Sequence, residues 1–242
     1  MPFPWNGGTP GLTAIGGPSH LVATAGENHS IAARFLVISF QRSGLNWLRY
    51  CTEYFTGVRT PGRKQLIAGG PVFFDRAHDV RRGTIRSNYT GLRDANGAEV
   101  YERVVLLLRH PFDCFTSHYF GRRGFNFGQG LDHFRAFAVN INEFHRLAKA
   151  EKAVFYFEDF IHNDDGTRAF LNFLGIETGT QPHNFSEMKE VSRSWYRGHH
   201  GLIREDERPM LEPSERTAIR RMLQRELGKN VGRYLGRYSL DG

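Results

Sequence analysis

RFLVISFQRSGLNWLRYCTEYFT, residues 34–56, is the stretch that decides the fold. It opens with four apolar residues, Phe35-Leu36-Val37-Ile38. The run is short, rich in β-branched residues and has no polar alternation, so it reads as a strand buried on both faces of a parallel sheet. A polar turn follows from Ser39 to Gly44, with a cation at Arg42 and the backbone freedom of glycine at its end. Beyond it Leu45, Leu48, Cys51 or Thr52, and Phe55 recur at helical spacing. Strand, basic glycine-containing turn and helix together form the layout of a phosphate cradle. The first helical N–H groups have no partner within the helix, and the helix dipole favours an anion at that end. The Walker A spacing and its lysine are absent from the turn.

Further along the chain the same alternation repeats. Pro71 to Phe74 predicts a short strand that delivers Asp75-Arg76-Ala77-His78-Asp79. Val104 to Leu108 predicts a second buried strand, ending in Arg109-His110-Pro111. Pro111 suits the first position of a helix running to about Phe120, because its missing N–H is not needed there. Gly121 to Gly130 predicts a loop rich in Gly, Arg and Phe. Leu131 to Ala150 predicts a helix, Ala153 to Phe157 a third buried strand, and Phe160 to Leu174 another helix. Thr178 to Arg208 predicts mostly loop. A last amphipathic helix runs from Pro213 to about Leu227, with Gly228 marking its end. Strands alternating with helices give βαβ units, hence an α/β fold with a central parallel sheet flanked by helices. Residues 1–30, rich in Gly and Pro, predict an irregular lead-in, and 31–242 a single α/β domain.

Composition narrows the ligand classes. The chain has 242 residues, long enough for one substantial core, and a formal net charge of +7, which favours anionic partners. Its two cysteines, Cys51 and Cys114, show no metal-type spacing and predict buried, reduced thiols in a cytoplasmic setting. The eleven histidines form no HExxH-type cluster, so no metal is expected. No apolar run reaches the length of a membrane span. The basic residues are scattered and carry no nucleic-acid motif, which argues against a nucleic-acid module.

A second constellation sits at Arg109-His110-Pro111-Phe112-Asp113-Cys114-Phe115-Thr116-Ser117. A strand end presents Arg109, and Ser117 follows about two helical turns in. A guanidinium fork and a directed hydroxyl held this way can grip one phosphate from two sides.

Taken together, these stretches resemble the sulfotransferases that use 3′-phosphoadenosine 5′-phosphosulfate (PAPS). Their 5′-phosphosulfate loop runs roughly Pro-Lys-Ser-Gly-Thr-Thr-Trp. Here it reads Gln41-Arg42-Ser43-Gly44-Leu45-Asn46-Trp47. Ser, Gly and Trp coincide, Arg42 stands at the Lys, and Leu45 and Asn46 depart from the two Thr. Arg109 and Ser117 match, in type and in their separation of eight residues, the family's 3′-phosphate pair. His78 falls where the family carries its base, with Asp75 and Asp79 as rival carboxylates. Phe157 occupies the position of the Tyr that contacts adenine. Trp195-Tyr196-Arg197-Gly198-His199-His200-Gly201 resembles the late Arg-Lys-Gly-x-x-Gly loop over the 3′-phosphate, with Arg197 on the Lys and Tyr196 on the Arg.

The resemblance implies a nucleoside-kinase-like sulfotransferase fold. It also implies sulfuryl transfer from PAPS to a hydroxyl or amine of a small-molecule or glycan acceptor, leaving adenosine 3′,5′-bisphosphate (PAP) and requiring no metal. Arg42 and His78 would be the catalytic residues. Gln41 to Trp47, Arg109, Ser117, Phe157, Arg197 and Gly198 would hold the nucleotide. The alternatives are a P-loop kinase-like nucleotide-binding protein and a catalytically inactive relative that binds PAP. Neither the acceptor nor the oligomeric state is legible.

Overall fold

Three unbroken apolar runs become strands, and the computed structural model shows how their faces are shared. It describes residues 34–62, 64–82, 87–119, 125–162, 164–178, 184–197 and 210–240. Strand β1 (Phe35–Ser39) leads to helix α1 (Leu45–Thr56), then β2 (Asp75–Ala77), β3 (Arg103–Leu108), α2 (Pro111–Tyr119) and α3 (Phe127–Arg146). Strand β4 (Glu151–Tyr156) follows, then α4 (Phe157–His162), α5 (Asp165–Phe173), α6 (Phe185–Arg197), α7 (Pro213–Leu227) and α8 (Asn230–Leu235). The sheet order is β2-β1-β3-β4, and every pairing is parallel.

Alternating residues of the strands serve two cores. Leu36, Ile38, Val104, Leu106 and Leu108 face a cluster built from α2, α3, α7 and α8. Val37, Val105 and Leu107 face one built from α1, α4, α5 and α6. Both faces are therefore dry, as an unbroken apolar strand requires. Burial of each such Val or Leu contributes roughly 1.5–3 kcal/mol.

Several boundaries differ from expectation, each for a local reason. Val72 makes only an isolated bridge to Arg59, and the strand begins at Asp75 instead. Asp75 tolerates this buried place because the Tyr101 hydroxyl donates to it at 2.9 Å and Arg34 lies 3.7 Å away. Helix α3 starts at Phe127, four residues before the expected Leu131, because the Asn126 side chain accepts from the Gln129 N–H. The single helix expected over 160–174 is two, α4 and α5. The segment expected as loop after Thr178 contains α6, which Asn184 caps by accepting from the Glu187 N–H. Phe185 and Met188 seal that helix onto the second core. The expected lead-in, 1–30, lies outside the described residues. Among the described residues no helix is long and apolar enough to cross a membrane.

Candidate functional site

The sheet order fixes where a ligand crevice can form. From β1 the chain leaves through α1 to β2 on one side; from β3 it leaves through α2 and α3 to β4 on the other. The carboxyl ends of β1 and β3 therefore flank a topological switch point, where open α/β sheets bind their ligands. The turn 40–44 and Arg109 stand at those two ends.

The turn is held in an unusual backbone path. Arg42 has φ 71° and Gly44 φ 89°, both left-handed. For Arg42 this carries strain of about 1–3 kcal/mol, maintained only by its surroundings. Arg109 Nη1 donates to the Arg42 carbonyl at 3.0 Å, and the Cys114 thiol to the Gln41 carbonyl at 3.1 Å. Gly44 serves two demands at once. A Cβ there would stand 2.4 Å from the Phe157 ring, on top of the positive φ. That ring also lies under Arg109, whose guanidinium carbon is 4.5 Å from its centre. Phe157 is thus a spacer between the turn and the cation.

Helix α1 has no side-chain cap at its N-terminus. The Trp47 N–H bonds the Gly44 carbonyl at 3.0 Å, so the outward amides are those before it. The other turn residues divide. Leu45 is buried in the second core. Ser43 is also buried, and its hydroxyl lies 3.6 Å from the Cys114 sulfur. Asn46 is exposed, with its carbonyl accepting from Arg49 Nη1 at 3.2 Å. The Trp47 indole donates to Thr167 at 3.0 Å and stacks on Tyr50.

Arg109 is 8% exposed, yet its Nε has no hydrogen-bond partner among the described residues. In the turn itself, the Gln41 side-chain carbonyl is another buried atom without a hydrogen-bond partner among the described residues. Ser117 is half-buried on α2, one turn beyond Cys114 and on the same side, the side that meets the turn.

His78 follows directly after β2, the neighbour of β1. Its Nδ1 lies 2.7 Å from the Ser39 carbonyl. A carbonyl only accepts, so Nδ1 carries the hydrogen and Nε2 keeps a lone pair. Burial is the main cause that pulls its pKa down to about 4, helped by the positive charges of Arg76 and Arg49, against the bond to Ser39. The ring is therefore neutral at physiological pH. The rival carboxylates are both engaged: Asp75 as described, and Asp79 by a fork from Arg81 at 2.9 and 2.8 Å.

Four supporting residues give little sequence signal. Arg49, 2% exposed, joins Asn46 to Thr60 and lies 3.8 Å from Glu53. Glu158 accepts from the His110 N–H at 2.8 Å and from the Tyr238 hydroxyl at 2.8 Å, fixing the start of α2. Cys114 lies beneath the turn. Asn140 of α3 reaches the backbone around His78. Of these, Cys114 lay within the Arg109–Ser117 constellation and Glu158 directly after Phe157, while Arg49 and Asn140 lay outside every stretch with family likeness. Arg197 ends α6 and its side chain lies outside the described part, as do residues 198–201 and the cations Arg122 and Arg123. A cavity of about 380 Å³ lies beyond β2, lined by Arg59, Gln65, Ser87 and Asn88 among others.

Against known families and curated proteins, the chain matches no family model and no curated protein.

Proposed function

We propose that this chain is a sulfotransferase that moves a sulfuryl group from PAPS to an acceptor hydroxyl or amine. The observation that carries the reading is the pairing at the switch point: the turn 41–44, left-handed at Arg42 and Gly44, is tied to Arg109, whose buried Nε has no hydrogen-bond partner among the described residues. A buried guanidinium with an unused donor calls for an anion. The uncapped N-terminus of α1 beside it favours a second one. A nucleotide with separate 5′ and 3′ phosphates fits that demand better than one with a single phosphate chain.

In the reaction the acceptor oxygen or nitrogen attacks sulfur in line with the leaving 5′-phosphate oxygen. The new bond to sulfur forms as the S–O bond to the phosphate breaks, and the acceptor proton passes to Nε2 of His78. Arg42 and the amides of residues 43–46 stabilise the charge that grows on the departing phosphate. Arg109 and Ser117, with Arg197, hold the 3′-phosphate and position the donor. PAP leaves as product.

Departures at the turn favour a second reading, an inactive PAP-binding relative. Leu45 is committed to the core, and the Ser43 hydroxyl faces Cys114. Both readings require the bisphosphate. In a thermal-shift comparison PAP should stabilise the protein well above AMP and ATP at equal concentration. Preference for ATP would assign the kinase-like alternative. Turnover of PAPS then separates the active from the inactive form.

A further inference from the structure

We infer that Asn140 is a positioning residue for His78, setting which ring nitrogen of that histidine can accept a proton. The inference rests on the proposed role of His78 as base. Asn140 lies midway along α3 and is 1% exposed, among Phe137, Ala138, Ile141 and Phe144. A polar amide in that apolar surrounding is retained only if both its ends are satisfied. Here both are used on one short segment. Nδ2 donates to the His78 carbonyl at 2.9 Å, and Oδ1 accepts from the Val80 N–H at 3.0 Å.

The amide therefore clamps residues 78–80 as the chain leaves β2. The Tyr89 hydroxyl adds a bond to the Val80 carbonyl at 2.7 Å. On the far side of the histidine, the Ser39 carbonyl takes the Nδ1 hydrogen. Ser39 belongs to β1 and Asn140 to α3, so two separate elements fix the backbone and the ring. With the backbone clamped, Nδ1 stays within reach of Ser39 and Nε2 remains the acceptor. With the clamp lost, the ring can turn, the Ser39 bond lengthens, and both neutral tautomers become populated.

The test uses the full chain labelled with ¹⁵N and reads the histidine rings by long-range ¹H–¹⁵N correlation at neutral pH. His78→Asn identifies the His78 signals by their loss. The wild type should show one neutral tautomer, protonated on Nδ1. Asn140→Asp keeps the acceptor for Val80 but sets a carboxylate oxygen against the His78 carbonyl. Its His78 signals should move to a mixture of tautomers, while calorimetric PAP affinity stays within about twofold. A purely structural asparagine would leave the tautomer unchanged in the folded variant, and that result overturns the inference. So does a wild-type ring protonated on Nε2. Where Asn140→Asp does not fold, Asn140→Ser is read in the same way. Absence of PAP binding in the wild type counts against the sulfotransferase reading alone, because the ring spectrum is independent of it.

Discussion

Arg109 donates to the carbonyl oxygen of Arg42 at 3.0 Å, tying the cation at the end of β3 to the backbone of the turn that ends β1. One bond spans the switch point of the sheet. The carbonyl of a residue with left-handed backbone is thereby held by the guanidinium expected to meet the ligand. On the proposed reading, loss of Arg109 would remove an anion contact together with one of the two bonds, beside that from Cys114 to Gln41, that hold the turn.

For Arg109→Ala, PAP affinity should fall by about 1.5–3 kcal/mol, roughly ten- to a hundredfold, with much smaller loss for AMP. Arg109→Lys should recover little, because a point charge cannot bond Arg42 and a phosphate in one plane. Calorimetry with both nucleotides checks this. Equal affinities of the wild type for PAP and AMP would remove Arg109 from the 3′-phosphate.

Gly44→Ala should destabilise the protein by more than the roughly 1–2 kcal/mol of a left-handed alanine, because the new methyl also meets the Phe157 ring at 2.4 Å. Phe157→Leu in the same chain should relieve the second part only. A double-mutant cycle by urea denaturation measures the coupling. Additive effects would mean that the ring moves aside freely.

The low pKa of His78 makes a signed prediction. Its folded value of about 4 lies below the ordinary 6.5, so between those values the unfolded chain binds more protons. Stability from this group is therefore fully present above about pH 6.5 and is lost as pH falls toward 4. His78→Asn should flatten the stability profile in that window. In turnover assays the acid limb of kcat/KM should lie well below 6.5. The limb of kcat should lie higher, because bound phosphates favour the charged ring. His78→Asn should lower turnover on the order of a hundredfold with PAP affinity intact.

Arg49 and Glu53 form a buried pair beside the turn, with Glu53 also accepting from the Thr60 and Ile67 N–H groups at 2.9 and 3.3 Å. Arg49→Met leaves that carboxylate buried without its cation. The expected loss is about 3–5 kcal/mol, with residues 58–68 becoming the first protease-sensitive segment. Removing a positive charge should also raise the His78 pKa. Denaturation and timed proteolysis read the first effects, and NMR titration the last.

The parts of this picture legible in the sequence share a cause. Phe35 to Ile38 and Val104 to Leu108 are apolar on both faces, the pattern of central strands in a parallel sheet. The Pro213 and Gly228 signals likewise bounded α7. Helix α6 was hidden because few of its residues are buried and Trp195 and Val191 remain exposed. Its Asn184 cap was the available signal. At the site, Arg42, His78 and Arg109 were visible because strand ends are where charge gathers. Asn140 and Arg49 were not, because each sits inside an ordinary helical pattern and acts through backbone groups far away in sequence. Their roles exist only after packing.

The order of the strands has a kinetic corollary. β1 pairs with β3, with Phe35 opposite Arg103, and β3 with β4, with Arg103 opposite Glu151. Each such parallel pairing must close a long loop before its contacts offset the lost chain entropy. The Arg42–Arg109 bond needs the first of these closures, and the Arg109–Phe157 stack needs the second. A nascent or truncated chain that stops before β4 would have the glycine turn and the histidine but no floor under the arginine. Ligand capture would then emerge late, after the third strand-to-strand docking, and could serve as a clock for the completion of folding.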